Sequence, residues 1–225
     1  LYGTGSKTNA DGSFDLNSNG FPQITSSPIV LGDPNPDWRG GISLNMRYKK
    51  FRLNAVLEHS QGGEFSPRTL WVLRRFGTTQ ETANRLTLDQ SLVNYKGSTI
   101  PAGTTVRGNV QDFGAGPVLL DENWYRTGIG GGFGDNQAYN FSIADATWTK
   151  LRDLSLSYVL DTPVVKNIGL SDVILTFTGR DLININNVDG IDPEINTKGV
   201  SVAQGVEYCT NPHTKGFLFS LTINY

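Results

Sequence analysis

The stretch 216–225, GFLFSLTINY, carries a large apolar side chain at every second position. Counted back from the last residue, these positions are Tyr225, Ile223, Leu221, Phe219 and Phe217. Alternation with a period of two residues indicates a β-strand with one apolar and one polar face. Chain ends usually fray and carry polar residues, so an aromatic residue that stays in phase at position 225 needs a structural reason.

Alternation predicts four further strands, at 41–48, 51–60, 149–160 and 172–180. The polar faces of these strands carry Arg47, Arg52, Glu58, Asp153 and Arg180. A buried charge costs several kcal/mol unless it is paired, so we expect this face to meet water. The apolar face would pack on a second sheet in a soluble sandwich, or meet lipid in an outer-membrane barrel. With no amphipathic helix of ordinary length in sight, the sequence predicts an all-β chain.

Composition excludes several classes of protein. A net charge of −2 gives no electrostatic case for nucleic-acid binding. A single cysteine rules out an internal disulfide and a cysteine-based metal site, and no apolar run is long enough for a transmembrane helix. The chain opens on Leu1 without an initiator Met or a signal peptide, which we interpret as a fragment or a processed product.

The connections between the predicted strands alternate strictly between short and long. Residues 49–50 and 161–171 form the short ones, and 61–148 and 181–215 form the long ones. Bacterial outer-membrane barrels have short periplasmic turns and long extracellular loops. With a periplasmic C-terminus, segment 1–40 and both long connections lie outside the cell. An aromatic girdle then forms at the periplasmic end of the apolar face from Tyr48, Phe51, Tyr158 and Tyr225.

The same threading gives Tyr225 a role, because a terminal aromatic in phase with apolar residues resembles the C-terminal signal that outer-membrane proteins present to their insertion machinery. The predicted signal comprises Phe217, Phe219, Leu221, Ile223 and Tyr225. The alternative is a soluble strand that happens to end there. Five strands cannot close a barrel, because single-chain bacterial barrels have an even count from about 8 upward and open edges in lipid are costly. We therefore expect the chain to be the C-terminal part of a larger protein.

Four ordered motifs resemble the SusC/RagA family, the TonB-linked outer-membrane transporters of Bacteroidota. They are IVLGDPNPDWRGG at 29–41, ADATWTKLRDLSLSYVL at 144–160, LTFTGRDL at 175–182 and VDGIDPEIN at 188–196, followed by the aromatic-ended last strand. Some positions depart from the family pattern: Asp181 stands where the family usually has Asn, and Val188 and Ile191 replace aromatic residues. Residues 61–136 resemble nothing in the family.

The resemblance implies a barrel of about 22 antiparallel strands with a plugged lumen and long extracellular loops. It also implies energy-coupled import of glycans or peptides without enzymatic chemistry or a cofactor. A SusD-like surface lipoprotein would act as a lid, and a region upstream of this chain would bind TonB. Two alternatives stay open: a soluble glycan-binding β-sandwich, and a structural or secretion-associated barrel subunit.

Large aromatic residues in or beside the connection 61–148 are candidate contacts with a ligand or a partner. They are Trp71, Trp124, Tyr125 and Trp148. Exposed aromatic side chains stack on ligands or anchor partner proteins, but the same residues could instead form a small core within the connection. The sequence leaves both alternatives open.

Other motifs favour structural roles. The glycine-rich stretch 128–135 lacks the flanking elements and the Lys-Ser/Thr end of a phosphate loop. A cluster of polar oxygen ligands at Asp11, Asp15, Asn17 and Asn19 does not follow the order of a calcium loop, and His59, Cys209 and His213 offer too few ligands for zinc. We interpret Asp192 and Glu194 as part of a structural turn, and predict no metal or catalytic site.

Overall fold

The computed structural model describes residues 1–130, 137–197, 204–211 and 213–225. These residues divide into two compact units that interleave along the chain. The loop unit comprises 1–34, 64–144 and 195–210, and the sheet unit comprises 35–63, 145–194 and 211–225. The sheet unit is assembled from three separate stretches of chain.

The described residues are mostly β. Their strands are β1 Tyr2–Gly3, β2 Ile29–Val30, β3 Trp38–Tyr48, β4 Phe51–Gln61, β5 Glu64–Pro67, β6 Arg85–Thr87, β7 Leu92–Val93, β8 Thr99–Ile100, β9 Thr105–Arg107, β10 Asn109–Asp112, β11 Pro117–Leu120, β12 Ala144–Asp145, β13 Trp148–Leu160, β14 Asp172–Asn186, β15 Val206–Glu207 and β16 Gly216–Asn224. The helices are α1 Arg68–Phe76, α2 Gln80–Ala83, α3 Glu122–Arg126 and α4 Pro163–Asn167, with a 3₁₀ turn at Tyr139–Ser142.

The sheet unit contains one antiparallel five-stranded sheet in the order β16-β14-β13-β4-β3. All five predicted strands are present, but β3 begins at Trp38 rather than 41 and β14 continues to Asn186 rather than 180. Ladder pairs such as Trp38 with Gln61 and Trp148 with Asn186 extend the strands past the regular alternation. The described sheet is open and does not close into a barrel.

The two short connections of the sheet are a two-residue turn at 49–50 and the segment 161–171, which contains a short helix. Lys49, in the two-residue turn between β3 and β4, has a left-handed backbone with φ of 54°, which suits a hairpin turn. The connection between β13 and β14 contains α4, whose first residue is Pro163. Proline is favoured at this position because its fixed φ suits the helix and its missing N–H would have had no partner there.

The loop unit packs around its own aromatic core. Its main cluster of buried residues is Phe21, Val118, Leu120, Trp124, Tyr125, Ile129 and Ala138. A smaller cluster joins Leu88, Leu92 and Leu119. Short two-stranded sheets, such as β6 with β9 and β10 with β11, surround these clusters. The long connection 61–148 is thus largely a folded body.

The sequence predicts no amphipathic helix of ordinary length, and α1 is a short one, whose nine residues bury Trp71 and expose Phe76. The helix is short, so its apolar stripe spans only two turns and gives a weak periodic signal. Its ends nevertheless carry recognisable stop signals: Arg74 and Arg75 lie in the last turn, and Gly77 follows in a left-handed conformation with φ of 67°.

Candidate functional site

One face of the five-stranded sheet is apolar and exposed. In the ladder, one cross-strand row runs Met46, Leu53, Leu156, Phe177 and Phe219, and the next, towards the β3–β4 turn, runs Tyr48, Phe51, Tyr158, Leu175 and Leu221. In the central row, Leu156 is 48% exposed, Phe177 52% and Phe219 67%. A sandwich needs a second sheet over such a face. In the described part of the chain these side chains stay exposed, as the lipid-facing alternative expects.

The last strand contributes four residues to this apolar face. Phe217, Phe219, Leu221 and Ile223 lie on it at alternate positions, and Tyr225 follows β16 as the most exposed apolar side chain, at 98%. The row that contains Tyr48, Phe51 and Tyr158 reaches β16 at Leu221. Tyr225 therefore lies further along the chain than this row, towards the same end of the sheet.

The opposite face carries the predicted charges. The register places Arg47, Arg52, Glu58, Asp153 and Arg180 together on it. Hydroxyl pairs cross the strands between them: Ser155 meets Thr178 at 2.9 Å and Ser157 meets Thr176 at 2.9 Å. Ser157 and Thr178 are buried, at 7% and 8% exposed, and their hydroxyls are paired as buried polar groups generally are.

A β-bulge at Arg152 determines which face of the sheet carries the Lys150 side chain. Simple alternation from Leu154 would put Lys150 on the apolar face. The ladder shifts between Leu151 and Asp153, because Leu151 pairs with Leu57 while Asp153 pairs with Val56. A bulge inserts one extra residue and re-aims side chains, so Lys150 returns to the polar face. Alternation alone does not predict the bulge, whose only signal in the sequence is the three-residue spacing of Leu151 and Leu154.

Strand β14 has a matching irregularity at the motif TFTGRDL. Asp181 has φ of 50°, and Asn and Asp are the non-glycine residues that best tolerate this left-handed region. The replacement of the usual Asn by Asp181 is thereby explained. A Cβ at Gly179 would lie 2.7 Å from Leu182 Cδ1, so the glycine makes room for the leucine side chain.

Beside the bulge lies a cluster of ion pairs that sequence reasoning did not predict. The ammonium group of Lys150 donates to both Asp192 oxygens, at 2.8 and 2.6 Å, and to Glu194 Oε2 at 2.6 Å. The guanidinium of Arg152 donates to Glu58 Oε2 at 2.8 Å and also to Glu194. These contacts tie the DPE segment of residues 192–194 to β13 and β4.

Trp148 completes the cluster. Its ring centroid lies 4.9 Å from Lys150 Nζ and 5.1 Å from Arg152 Cζ, within cation–π range. Trp148 is 4% exposed and Lys150 is 2% exposed. This tryptophan, a candidate ligand contact in the sequence, therefore lies in the interior against two cations.

The cluster also sets the ionisation of Glu194. Burial acts to raise the pKa of this carboxyl group, but hydrogen bonds from Arg152 and Lys150 outweigh burial, and the pKa is lowered from its ordinary value. Glu194 thus stays ionised near neutral pH, as the two cations require. The interpretation of Asp192 and Glu194 as parts of a structural turn agrees with this geometry.

His213 lies beside the same carboxylates, with Nε2 3.4 Å from Asp192 Oδ2. Among the described residues, Asp192, Glu194 and His213 form a group with potential metal-ligand spacing. The ammonium group of Lys150, however, already sits between the two carboxylates. A protein cation fills the place that a metal ion would need, so this cluster fits an internal ion pair better than a metal site.

In the loop unit, the predicted aromatic contacts lie inside. Trp71 and Trp124 are each 3% exposed, and Tyr125 is 7% exposed. Trp71 contacts Tyr139 with ring centroids 4.9 Å apart, and Trp124 packs among Phe21, Tyr95, Phe113 and Phe141. Of the two alternatives left open by the sequence, the structure favours the small core. The glycine-rich stretch 128–135 lies mostly outside the described residues.

An antiparallel sheet with one exposed apolar face and one polar, charged face is the kind of structure from which the wall of a transmembrane β-barrel is built. Comparison with known proteins shows what the chain is similar to. A TonB-dependent receptor, P3 of Formosa agariphila (strain DSM 15362), is 24% identical over 216 residues, which are 94% of this chain and 18% of the receptor.

Solved structures agree. The RagAB peptide importer in its open-open state covers the whole chain with a TM-score of 0.57 at 14% identity, and in its closed-closed state the TM-score is 0.53. The chain spans 22% and 23% of those structures. The chain is thus similar to the C-terminal part of a TonB-dependent receptor of the RagA kind, which confirms the resemblance drawn from its motifs. These relatives are a receptor and a transporter, in line with the prediction of no enzymatic activity.

No family model matches the sequence. In the described part of the chain, no helix has the length and apolar character to cross a bilayer.

Proposed function

We propose that this chain forms part of the wall of a TonB-dependent transporter in the bacterial outer membrane. One observation carries the proposal: five paired antiparallel strands present an exposed apolar face and a charged, hydroxyl-rich face. Lipid suits the first face and a water-filled lumen suits the second. Similarity to a TonB-dependent receptor supports the same function.

The complete barrel in this proposal has about 22 strands, of which the sheet unit supplies five. Its C-terminus is periplasmic, and segment 1–40 and the two long connections are extracellular. The loop unit, built largely from segment 1–34 and the connection 61–148, then stands on the outer side, where substrate arrives. Residues Phe217, Phe219, Leu221, Ile223 and Tyr225 act as the insertion signal, and the polar face lines the path.

The cargo in this proposal is a glycan or a peptide, and a SusD-like lipoprotein acts as the lid. Support comes from the fold of the RagAB peptide importer, a complex that suggests a RagB/SusD-like partner for this chain. TonB would act through a part of the protein upstream of this chain.

The chain contributes positioning and a polar path, without covalent chemistry. The ion pairs of Lys150 and Arg152 hold segment 192–194 against the strand ends. Because Lys150 and Asp192 are both buried, each restrains the other. These ion pairs therefore hold the first part of the loop that follows β14 against strand β13.

Uptake in whole cells tests the function. Cells that make the complete protein are offered mixtures of fluorescent oligopeptides and oligosaccharides, in paired strains with and without functional TonB. We expect TonB-dependent uptake of one class, and loss of that uptake when the gene is deleted. Outer-membrane insertion without any TonB-dependent uptake would instead favour the structural or secretion-associated barrel.

A further inference from the structure

The loop unit contains a cavity of about 680 Å³, and all the residues that line it belong to this unit. The end of α1, α2, the β9–β10 segment and α3 form its walls, and four arginines line it: Arg74, Arg75, Arg107 and Arg126. Cavities of roughly 300–1,000 Å³ are typical of small-molecule sites. Arginine is also the side chain best suited to bind carboxylates through paired hydrogen bonds.

The acidic groups of this cavity already have partners. The Asp121 carboxylate accepts hydrogen bonds from the Asn123 backbone N–H at 2.9 Å, from Asn94 Nδ2 at 2.9 Å and from Asn123 Nδ2 at 3.0 Å. Glu122 pairs with Arg126, but both side chains are largely exposed, at 75% and 63%. Such exposed pairs are weak, so Arg126 is readily available to a stronger anion.

Arg107 is the fixed cation of the cavity. Its guanidinium donates to the backbone carbonyl of Gly77 at 2.8 Å and to that of Thr82. Both partners are neutral, so among the described residues its charge is oriented without a carboxylate that neutralises it. A preorganised donor of this kind binds an anion without first losing side-chain freedom.

An apolar surface lies next to this charge. Phe76 lines the cavity and is 74% exposed. A second cavity of about 380 Å³ shares Arg74 and Tyr125 as lining residues, and its other walls include Phe14, Phe113, Trp124 and Phe141. Two carboxylates, Asp112 and Glu81, also line it, and Glu81 pairs with Arg74. The two cavities offer an arginine site beside an aromatic site, which suits an acidic oligomer with flat or apolar units.

We propose that the loop unit binds a carboxylate group of an oligomeric ligand at Arg107 and Arg126, with a neighbouring apolar unit against Phe76. The inference rests on the proposed function for the origin of the ligand, since an extracellular loop unit would meet the cargo first. Two sources have this chemistry: the C-terminal carboxylate of a peptide, and the uronate of an acidic oligosaccharide.

The test measures binding by calorimetry to the complete protein, purified in detergent. The probes are acetyl-Ala-Ala-Phe with its C-terminal amide, and trigalacturonate with its methyl ester. We expect one acid to bind at least ten-fold more tightly than its uncharged counterpart, as loss of a charge-assisted hydrogen bond requires. The arm that shows this difference identifies the source. Equal binding of acid and neutral forms in both arms, or no binding in either arm, overturns the proposal.

Variants locate the site. Arg107→Gln and Phe76→Ala should each weaken binding of the acid at least ten-fold. Arg85→Gln is the matched control, because Arg85 lies directly across the strand pair from Arg107 but does not line the cavity. Phe76→Ala removes an exposed side chain and should fold normally. This variant therefore still tests the site if Arg107→Gln fails to fold. Unchanged binding in both cavity variants, or an equal loss in Arg85→Gln, contradicts the assignment.

The two proposals fail separately. TonB-dependent uptake that is unchanged in Arg107→Gln and Phe76→Ala overturns the cavity assignment alone. Acid-selective binding by a protein without TonB-dependent uptake overturns the transport function alone.

Discussion

The ammonium group of Lys150 lies 2.6 Å from Asp192 Oδ2, and both side chains are only 2% exposed. Strand β13 supplies the lysine, and the DPE segment after β14 supplies the aspartate. Removal of one partner from such a pair leaves a buried charge without full compensation. The pair therefore joins the strand ends to the loop more firmly than an exposed ion pair would.

Asp192→Asn should lower the free energy of unfolding by about 3 kcal/mol, at the low end for a broken buried pair because Glu194 still contacts Lys150. Urea unfolding of the purified protein in detergent micelles measures the change. Glu122→Gln is the control, because it breaks an exposed pair and should cost less than about 1 kcal/mol. Equal costs for the two variants would contradict the structural role of the buried pair.

Leu156→Arg should destabilise the inserted protein by about 2–4 kcal/mol, the cost of a charged side chain at the middle of the lipid face. Leu156 lies in the central apolar row of the sheet. Asn54→Arg is the matched control, since Asn54 lies on the polar face directly across from Ser155. We expect that variant to remain close to wild type in urea titrations of liposome-inserted protein. Comparable losses in both variants would mean that the faces are assigned wrongly.

Glu194 should make stability depend on pH in the acidic range. Burial acts to raise the pKa of its carboxyl group, but hydrogen bonds from Arg152 and Lys150 together outweigh burial, so the pKa in the folded protein lies below the ordinary 4.5. A lowered pKa stabilises the fold fully above the unfolded value, and this contribution is lost as pH falls through the folded value. The stability difference between wild type and Glu194→Gln should therefore be constant near neutrality and shrink below about pH 4.5. A difference that stays constant down to pH 3 would refute this.

The sheet could be predicted because a strand with one apolar and one polar face has alternating apolar and polar residues in its sequence. Residues such as Phe217, Phe219 and Leu221 give the face of β16 directly, and the ladder confirms it. The bulge at Arg152 and the left-handed Asp181 break the period, so alternation predicts an end at 180 for β14, which in fact continues to Asn186. The buried cluster of Lys150, Asp192 and Glu194 joins segments more than 40 positions apart, a distance over which periodicity carries no information.

The loop unit was the least predictable part. Its strands run from two to four residues, as in β7 and β10, which is too short for alternation to show. Whether Trp71 and Trp124 face solvent or a core depends on chain segments that come together only in three dimensions. Phe21, for example, reaches Trp124 with ring centroids 5.6 Å apart.

Trp124→Ala should cost about 3–5 kcal/mol in the loop unit, because it empties the centre of an aromatic core. A Cβ on Gly130 would overlap the indole ring of Trp124, which shows how closely the site is packed. Phe76→Ala, at a side chain 74% exposed, should stay within about 0.5 kcal/mol of wild type. Limited proteolysis of the loop unit at rising temperature compares them. If Trp124→Ala resists proteolysis as well as wild type, the ring is not part of the core.

The proposed topology predicts which side of the membrane each connection faces. Ala102, in the connection 61–148, and Asn167, at the end of α4, are both exposed, so only the membrane should distinguish their access to a reagent. The native Cys209 is exposed and must first be replaced, as in Cys209→Ser. In that background, Ala102→Cys should react with an impermeant maleimide on intact cells, whereas Asn167→Cys should react only after the outer membrane is opened. The reverse pattern would place the long connections in the periplasm and overturn the threading, and labelling of both on intact cells would show that α4 does not lie behind the membrane.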